Sequence, residues 1–284
     1  MVATPIGNLA DISLRALYLL QLADVLACED TRHTQALLYA YGIDKSHTKM
    51  LAVHQHNEVE SAQQVQELLQ QGLRVAYVSD AGTPAISDPG ARLVATLRSA
   101  HFPIVPLPGA CSVTAALSVA GIAPGTAQQG AFVFAGFLPH KTSERAAAIE
   151  ALASEIRTVV LLEAPHRIES LATALALLGD RLITVGRELT KQFEEIATLQ
   201  AKDFASWLTQ DGHRLLGEFT LVLHPSSAPD RPHDLRVLKL LLDQLPLKTA
   251  VKLAAQLTGE PRNSLYELAL SLKAGSGSID LISE

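Results

Sequence analysis

Two short stretches concentrate ionisable groups where chemistry could happen. "CEDTRHT" (28–34) sets Glu29, Asp30, Arg32 and His33 directly after the apolar run "VLAC". Such a set suits substrate recognition or acid–base work. It also suits a plainer task, because Asp30 or Thr31 ahead of a helix is an ordinary N-cap. "GRELTKQFEE" (186–195) sets Arg187, Glu188 and Lys191 after another apolar run, and "APHRI" (164–168) adds Arg167. These charges either form surface ion pairs or line one wall of a cleft. "HQHNE" (54–58) spaces His54 and His56 so that a strand would put both on one face, as a metal site needs. No cysteine and no third ligand stand nearby, so a hydrogen-bonding role is the expectation there, and no metal.

Three Gly/Pro-rich turns follow apolar runs: "ATPIGN" (3–8), "SDAGTPAISDPG" (79–90) and "PLPGACS" (106–112). Any one of them is an ordinary βα turn. Three together at strand ends describe a crevice in which a ligand can approach the backbone, since open parallel sheets bind ligands outside the carboxyl ends of their strands. Neither G-x-x-x-x-G-K-[ST] nor G-x-G-x-x-G after a strand is present, so the ligand is held by some other loop geometry than a Walker or Rossmann site.

These turns require an alternating scaffold. We expect a strand end at "MVAT", a helix over 14–23, a strand at "VLACE", a helix closed by Gly42, a helix over 58–72, strands at "RVAYVS" and "IVPLP", and a helix over 111–121. That order implies parallel strands with helical crossovers. The turn-rich segment 122–130 marks a boundary between an N-terminal α/β domain, 1–121, and a second, 122–224. The second block has strands at "AFVFAGF", "TVVLLEA", "LITVGREL", "FEEIATLQ" and "EFTLVLH", with helices at about 143–153 and 166–178; the last two strands lack a long helix, so the sheet is expected to be mixed rather than purely parallel. A linker, 225–232, leads to a helical module, 233–273, whose helices near 247–257 and 262–272 have helix-turn-helix spacing. The tail, 274–284, begins like a flexible linker and reads as an expression remnant, and the abrupt start suggests that upstream strand residues are missing.

At 284 residues, with 48% apolar side chains and few aromatics, the chain is a globular α/β enzyme in composition rather than a disordered one. No apolar run reaches the roughly 18 residues of a membrane span. Two cysteines, Cys28 and Cys111, offer no disulfide framework, and a reduced cytoplasmic protein is expected. The formal charge is −6, which speaks against nucleic acid as a partner unless basic charge is concentrated locally. It is so concentrated. Residues 231–273 hold seven Lys/Arg against four Asp/Glu, a balance of +3, which leaves −9 on the remainder.

"VATPIGNLADISLRAL", "CEDTRHT", "VSDAGTPAISDPG", "PLPGACSVTAAL", "GFLP", "EAPHRI", "GRELTKQFEE" and "GEFTLVL" occur in this order. The series resembles the ribosomal RNA small-subunit methyltransferase I family, cytidine 2′-O-methyltransferases of the tetrapyrrole-methylase superfamily, from residue 2 to about 273. The resemblance implies a two-domain α/β methylase fold with a small C-terminal helical module, S-adenosylmethionine as methyl donor, a homodimer, and RNA of the small ribosomal subunit, in the assembled particle, as substrate. Carried over motif by motif, it implies a cofactor cradle of Pro5, Gly82, Thr83, Ser87, Ser112 and Val113, closed by Leu162, Glu163, Arg187, Leu189, Phe219 and Thr220. For deprotonating a ribose hydroxyl, Asp30, Asp80, Glu188 and Lys191 are equal candidates. Arg32, Lys141 and Arg167, with Lys248, Lys252 and Arg262 of the module, suit phosphate contacts. Two other readings remain open: methylation of a small tetrapyrrole-like molecule, and a non-catalytic ribosome-binding adaptor. The basic module disfavours the first, because a small substrate needs no such appendage.

Overall fold

The computed structural model of the protein describes residues 1–54, 57–122, 130–226, 232–258 and 261–276. The chain divides into two compact units, Met1–Pro225 and Ser226–Glu284. His56, most of the expected boundary 122–130, most of the linker 225–232 and the tail beyond 276 lie outside the described residues.

The first unit opens with a parallel sheet of β1 (Val25–Cys28), β2 (Lys49–Ala52) and β3 (Val75–Val78), in the order β2-β1-β3. Around it run α1 (Leu14–Leu22), α2 (Thr31–Ala40), α3 (Glu58–Gln70), α4 (Ala91–Ser99) and α5 (Ser112–Val119). β1 is buried along its whole length, as a central parallel strand must be. Two expected strands are not regular ones. "MVAT" and "IVPLP" are joined by an isolated bridge, Val2 to Leu107, and Thr4 bridges separately to Gly82 in the loop after β3. They still lie in sheet position: Val2 N–H donates to the Tyr77 carbonyl at 2.8 Å, and Leu107 N–H to Met1 at 2.9 Å. Pro5, Pro103, Pro106 and Pro108 remove the donors that would extend the ladder. β2 and α4 have no counterpart in the expected elements.

The second sheet contains β4 (Phe132–Gly136), β5 (Thr158–Glu163), β6 (Leu182–Arg187), β7 (Glu195–Gln200) and β8 (Phe219–Leu223), in the order β4-β5-β8-β6-β7. Only β4 and β5 are parallel, so the mixed sheet expected from the want of a long helix beside the last two strands is what forms. It packs with α6 (Thr142–Ala153), α7 (Ile168–Leu175) and α8 (Phe204–Thr209) over a core that includes Ile168, Leu171, Ile183, Phe204 and Leu221. Each such side chain contributes about 1.5–3 kcal/mol by leaving water.

The second unit contains α9 (Pro232–Gln244), α10 (Leu247–Thr258) and α11 (Arg262–Ser276) around Leu238, Val251, Ala254, Leu265 and Ala269. Lys248 and Lys252 stand one turn apart on the exposed face of α10, and Arg262 is exposed at the start of α11.

Candidate active site

A cavity of about 260 Å³ opens where the carboxyl-end loops of the first sheet meet the second sheet. The loop after β3 supplies Ala81, Gly82, Thr83, Ile86, Ser87 and Asp88. The N-terminal turn supplies Ile6, and the entry to α5 supplies Cys111, Ser112 and Val113. Leu162 and Glu163 come from β5, Leu189 and Lys191 from the β6–β7 connection, and Phe219 and Thr220 from β8. A larger cavity, about 330 Å³, lies among Met1, Leu19, Leu69, Leu97 and Leu107. It is apolar apart from Arg74 and gathers no converging polar groups, so the smaller one is the candidate site.

Local backbone chemistry shapes the wall. Gly82 has φ +75° and exchanges both backbone hydrogen bonds with Thr4, at 2.9 and 3.1 Å, which ties the "TPIGN" turn to the "SDAGTP" turn. Ala85 and Ser87 in the same loop, and Glu188 and Thr190 across the cavity, also have positive φ. Strain of this kind gathers at ligand sites and persists only where surroundings enforce it. Glu58, buried on α3, anchors the far end of the loop after β3. Its Oε1 accepts from the N–H groups of Gly90, Arg92 and Leu93 at 2.8–3.2 Å, while the Tyr77 hydroxyl donates to the Pro89 carbonyl at 2.8 Å. Asn8 N–H donates to Thr190 Oγ1 at 3.2 Å, joining the two halves of the wall.

Of the expected cradle residues, all but Pro5 and Arg187 line this cavity. Pro5 is buried beside Ile6. The Arg187 guanidinium donates to the Leu216 carbonyl at 3.1 Å and to Glu195 at 3.4 Å. Glu163 is 2% exposed. Its Oε1 accepts from Ala164 N–H at 2.9 Å and lies 3.0 Å from Arg167 Nε, close for charge pairing though out of line for a hydrogen bond. Its Oε2 is buried with no partner among the described residues. A buried acceptor left open in a cavity wall calls for a donor from a ligand.

The catalytic candidates separate. Lys191 lines the cavity, with Nζ 2.8 Å from Glu188 and 3.0 Å from Glu218. Burial works against its charge, but these two hydrogen bonds outweigh burial and hold its pKa above the usual lysine value. Burial likewise favours neutral Glu188, yet the Lys191 ammonium and the Glu218 N–H prevail and hold it low. Asp30 and Asp80 stand outside the cavity lining. Asp30 caps α2 through Arg32 N–H at 2.8 Å, and the Arg32 guanidinium keeps its carboxyl well below the usual carboxylate range. Asp80 receives Asp30 N–H at 3.1 Å and sits 3.1 Å from His33 Nδ1.

The phosphate candidates separate too. Arg32 and Lys141 are exposed, paired with Asp30 and Glu144. Arg167 is 8% exposed, with its guanidinium on Glu163, the Leu138 carbonyl and His140 Nε2. It locks the cavity wall from behind. Asp88, in the same motif as Asp80 but not among the expected site residues, is the one that lines the cavity. Ile6, Cys111, Phe137 and Pro165 likewise fall inside the motifs quoted above. Among the described residues, no three His, Cys, Asp or Glu side chains could hold a metal ion. Nor is any helix there long and apolar enough to cross a membrane.

Residues 1–205 match the family described as Tetrapyrrole (Corrin/Porphyrin) Methylases, and 228–273 match the RsmI C-terminal HTH domain. The fold is that of cobalt precorrin-4 methyltransferase, with TM-score 0.57 at 21% identity, over 78% of this chain and 92% of that one. A uroporphyrin-III C-methyltransferase from Thermus thermophilus complexed with S-adenyl homocysteine is also similar in fold, with TM-score 0.50 at 16% identity, over 78% and 94% of the two chains. Proteins named ribosomal RNA small subunit methyltransferase I are much nearer in sequence. The one from Escherichia coli O157:H7 is 44% identical, with 95% of this chain and 93% of that protein covered. The one from Pseudomonas aeruginosa is 42% identical, over 97% and 98%. The chain belongs to the ribosomal RNA small subunit methyltransferase I family.

Proposed function

We propose that the protein transfers the methyl group of S-adenosylmethionine to a cytidine 2′-hydroxyl in the RNA of the assembled small ribosomal subunit, as a cytoplasmic homodimer. Membership of a methyltransferase family supports the reaction class. The observation that carries the donor's place is the cavity itself, with its backbone-lined turns and the open Glu163 Oε2. The ribose hydroxyls and amino groups of S-adenosylmethionine are donors of the kind this acceptor lacks. The first turn of α5 offers backbone N–H groups, since its cap residue Cys111 makes no side-chain capping bond.

When bound, the donor supplies an activated methyl group and a neutral thioether as leaving group. The protein's share is alignment and exclusion of water, through loops whose strained backbone is fixed from behind. Lys191, held as a cation, suits an anionic group of donor or RNA rather than removal of a proton. Transfer of a labelled methyl group to small subunits, but not to free porphyrin precursors, is the expected result, with 2′-O-methylcytidine recovered on digestion. It should survive dialysis against EDTA. Label on porphyrin precursors alone would favour the small-molecule reading, and no heat on titration with S-adenosylmethionine would favour the adaptor.

The basic module is proposed to hold RNA phosphates. Replacing Lys248, Lys252 and Arg262 together by Gln should weaken binding to the small subunit while leaving S-adenosylmethionine affinity unchanged. The log–log salt dependence should become shallower by about 0.7–0.9 for each lost contact. An unchanged slope would make the module structural.

A further inference from the structure

We infer that Phe137 is the platform on which the base of the target nucleotide stacks, so that the RNA presents that nucleotide splayed out of its own stack. The inference rests on the function proposed above and names how the same site takes its substrate. Two aromatic side chains line the cavity, Phe219 and Phe137. Phe219 is sealed in the wall at 2% exposure and has no face to offer. Phe137 is 50% exposed, so its ring stands at the mouth, between the cavity and solvent. An apolar ring left in water beside a polar cleft marks a surface that a partner covers.

The backbone aims this ring and fixes it. The register of β4 on β5 shifts between Phe134 and Gly136, a bulge of the kind that re-aims a side chain. Gly136 has φ +64°, and a Cβ there would stand 3.5 Å from Ser87 Oγ, so the residue before Phe137 lies against the loop after β3. Beyond Phe137, two buried arginines grip three successive carbonyls. Arg167 donates to Leu138, and Arg145 donates to Pro139 at 3.0 Å and to His140 at 2.9 Å. Charge-assisted bonds of this kind are the strong ones, and they leave the turn little freedom to fold the ring back into the core. A recognition surface ordered in advance loses little entropy when its ligand arrives.

The ligand chemistry that fits is a planar base. Every base has a π-face, and sequence-specific RNA recognition mostly takes unstacked bases on aromatic side chains. The cavity of about 260 Å³ is no larger than one drug-sized ligand needs, about 300–1,000 Å³. The donor therefore fills it, and the base stays at the mouth, where Phe137 stands. Lys191 in the same lining offers a cation to a neighbouring phosphate. Stacking fixes the plane of the base and, through the glycosidic bond, the reach of the ribose, which is the alignment that in-line transfer needs. It accepts any base, so Phe137 positions the nucleotide and leaves the choice of cytosine to other groups.

Phe137→Leu keeps an apolar side chain and removes the ring. Its kcat/KM for small subunits should fall about 5–150-fold, the range that loss of one base–aromatic stack gives. Calorimetric titration with S-adenosylmethionine should match wild type, and so should the melting curve, because the ring is half exposed. Phe137→Trp should restore most of kcat/KM. Independently of activity, the introduced indole should be quenched by small subunits and not by S-adenosylmethionine alone, against the background of Trp207, the one native tryptophan, measured in wild type. Wild-type kcat/KM in Phe137→Leu overturns the platform, and so does an indole that small subunits leave unquenched. An equal loss of S-adenosylmethionine affinity in Phe137→Leu puts the ring on the donor and overturns it too. If wild type methylates no small-subunit RNA, the functional reading fails first and the platform with it.

Discussion

Gly82→Val is expected to weaken S-adenosylmethionine binding by well over tenfold in a protein that still folds. Gly82 has φ +75°, a region that costs an L-residue roughly 1–2 kcal/mol and a β-branched one more. A Cβ there would stand 3.3 Å from Ile6 Cγ2, tighter than ordinary contact, and Ile6 is itself a cavity residue. The substitution strains the turn and pushes a second wall residue at once. Each 1.4 kcal/mol lost from binding is a factor of ten. Calorimetry measures the affinity, and a melting curve checks the fold. Wild-type affinity in a folded variant would remove this turn from the site.

Arg167→Leu is expected to be the most destabilising of the substitutions considered. It leaves the Glu163 charge buried without its partner, which typically costs about 3–5 kcal/mol. For a unit of this size that lowers the melting temperature by roughly 6–20 °C. The double variant Arg167→Leu with Glu163→Leu should recover most of the loss, because two apolar side chains replace a desolvated pair. It should not recover S-adenosylmethionine binding if Glu163 Oε2 meets the donor. Arg32→Ala, at an exposed pair, should leave the melting temperature where it was. A single Arg167 variant that melts with wild type but binds small subunits poorly would return Arg167 to the RNA-facing group.

The sequence by itself determined a good deal. Hydrophobic runs followed by Gly/Pro turns located the loops after β3 and before α5, and the motif series named the family and most of the cavity lining. This worked because turn geometry and backbone approach depend on residue type at fixed local spacing, which a string of letters preserves. The lack of a regular strand at "IVPLP" and just after "MVAT" is legible in Pro106, Pro108 and Pro5, which have no N–H to donate.

Only the tertiary structure decided which charged groups are free to do chemistry. Asp80 and Asp88 stand eight residues apart in one motif, yet one is tied to His33 and the other lines the cavity. Arg167 and Arg32 look alike as phosphate ligands, yet one is sealed behind Glu163 and the other is in solvent. Burial and pairing join residues far apart in the chain, such as Glu29 beside Asp88 and Glu218 beside Lys191. The pKa of a carboxyl is set by those neighbours and by loss of water, and neither is written in local sequence.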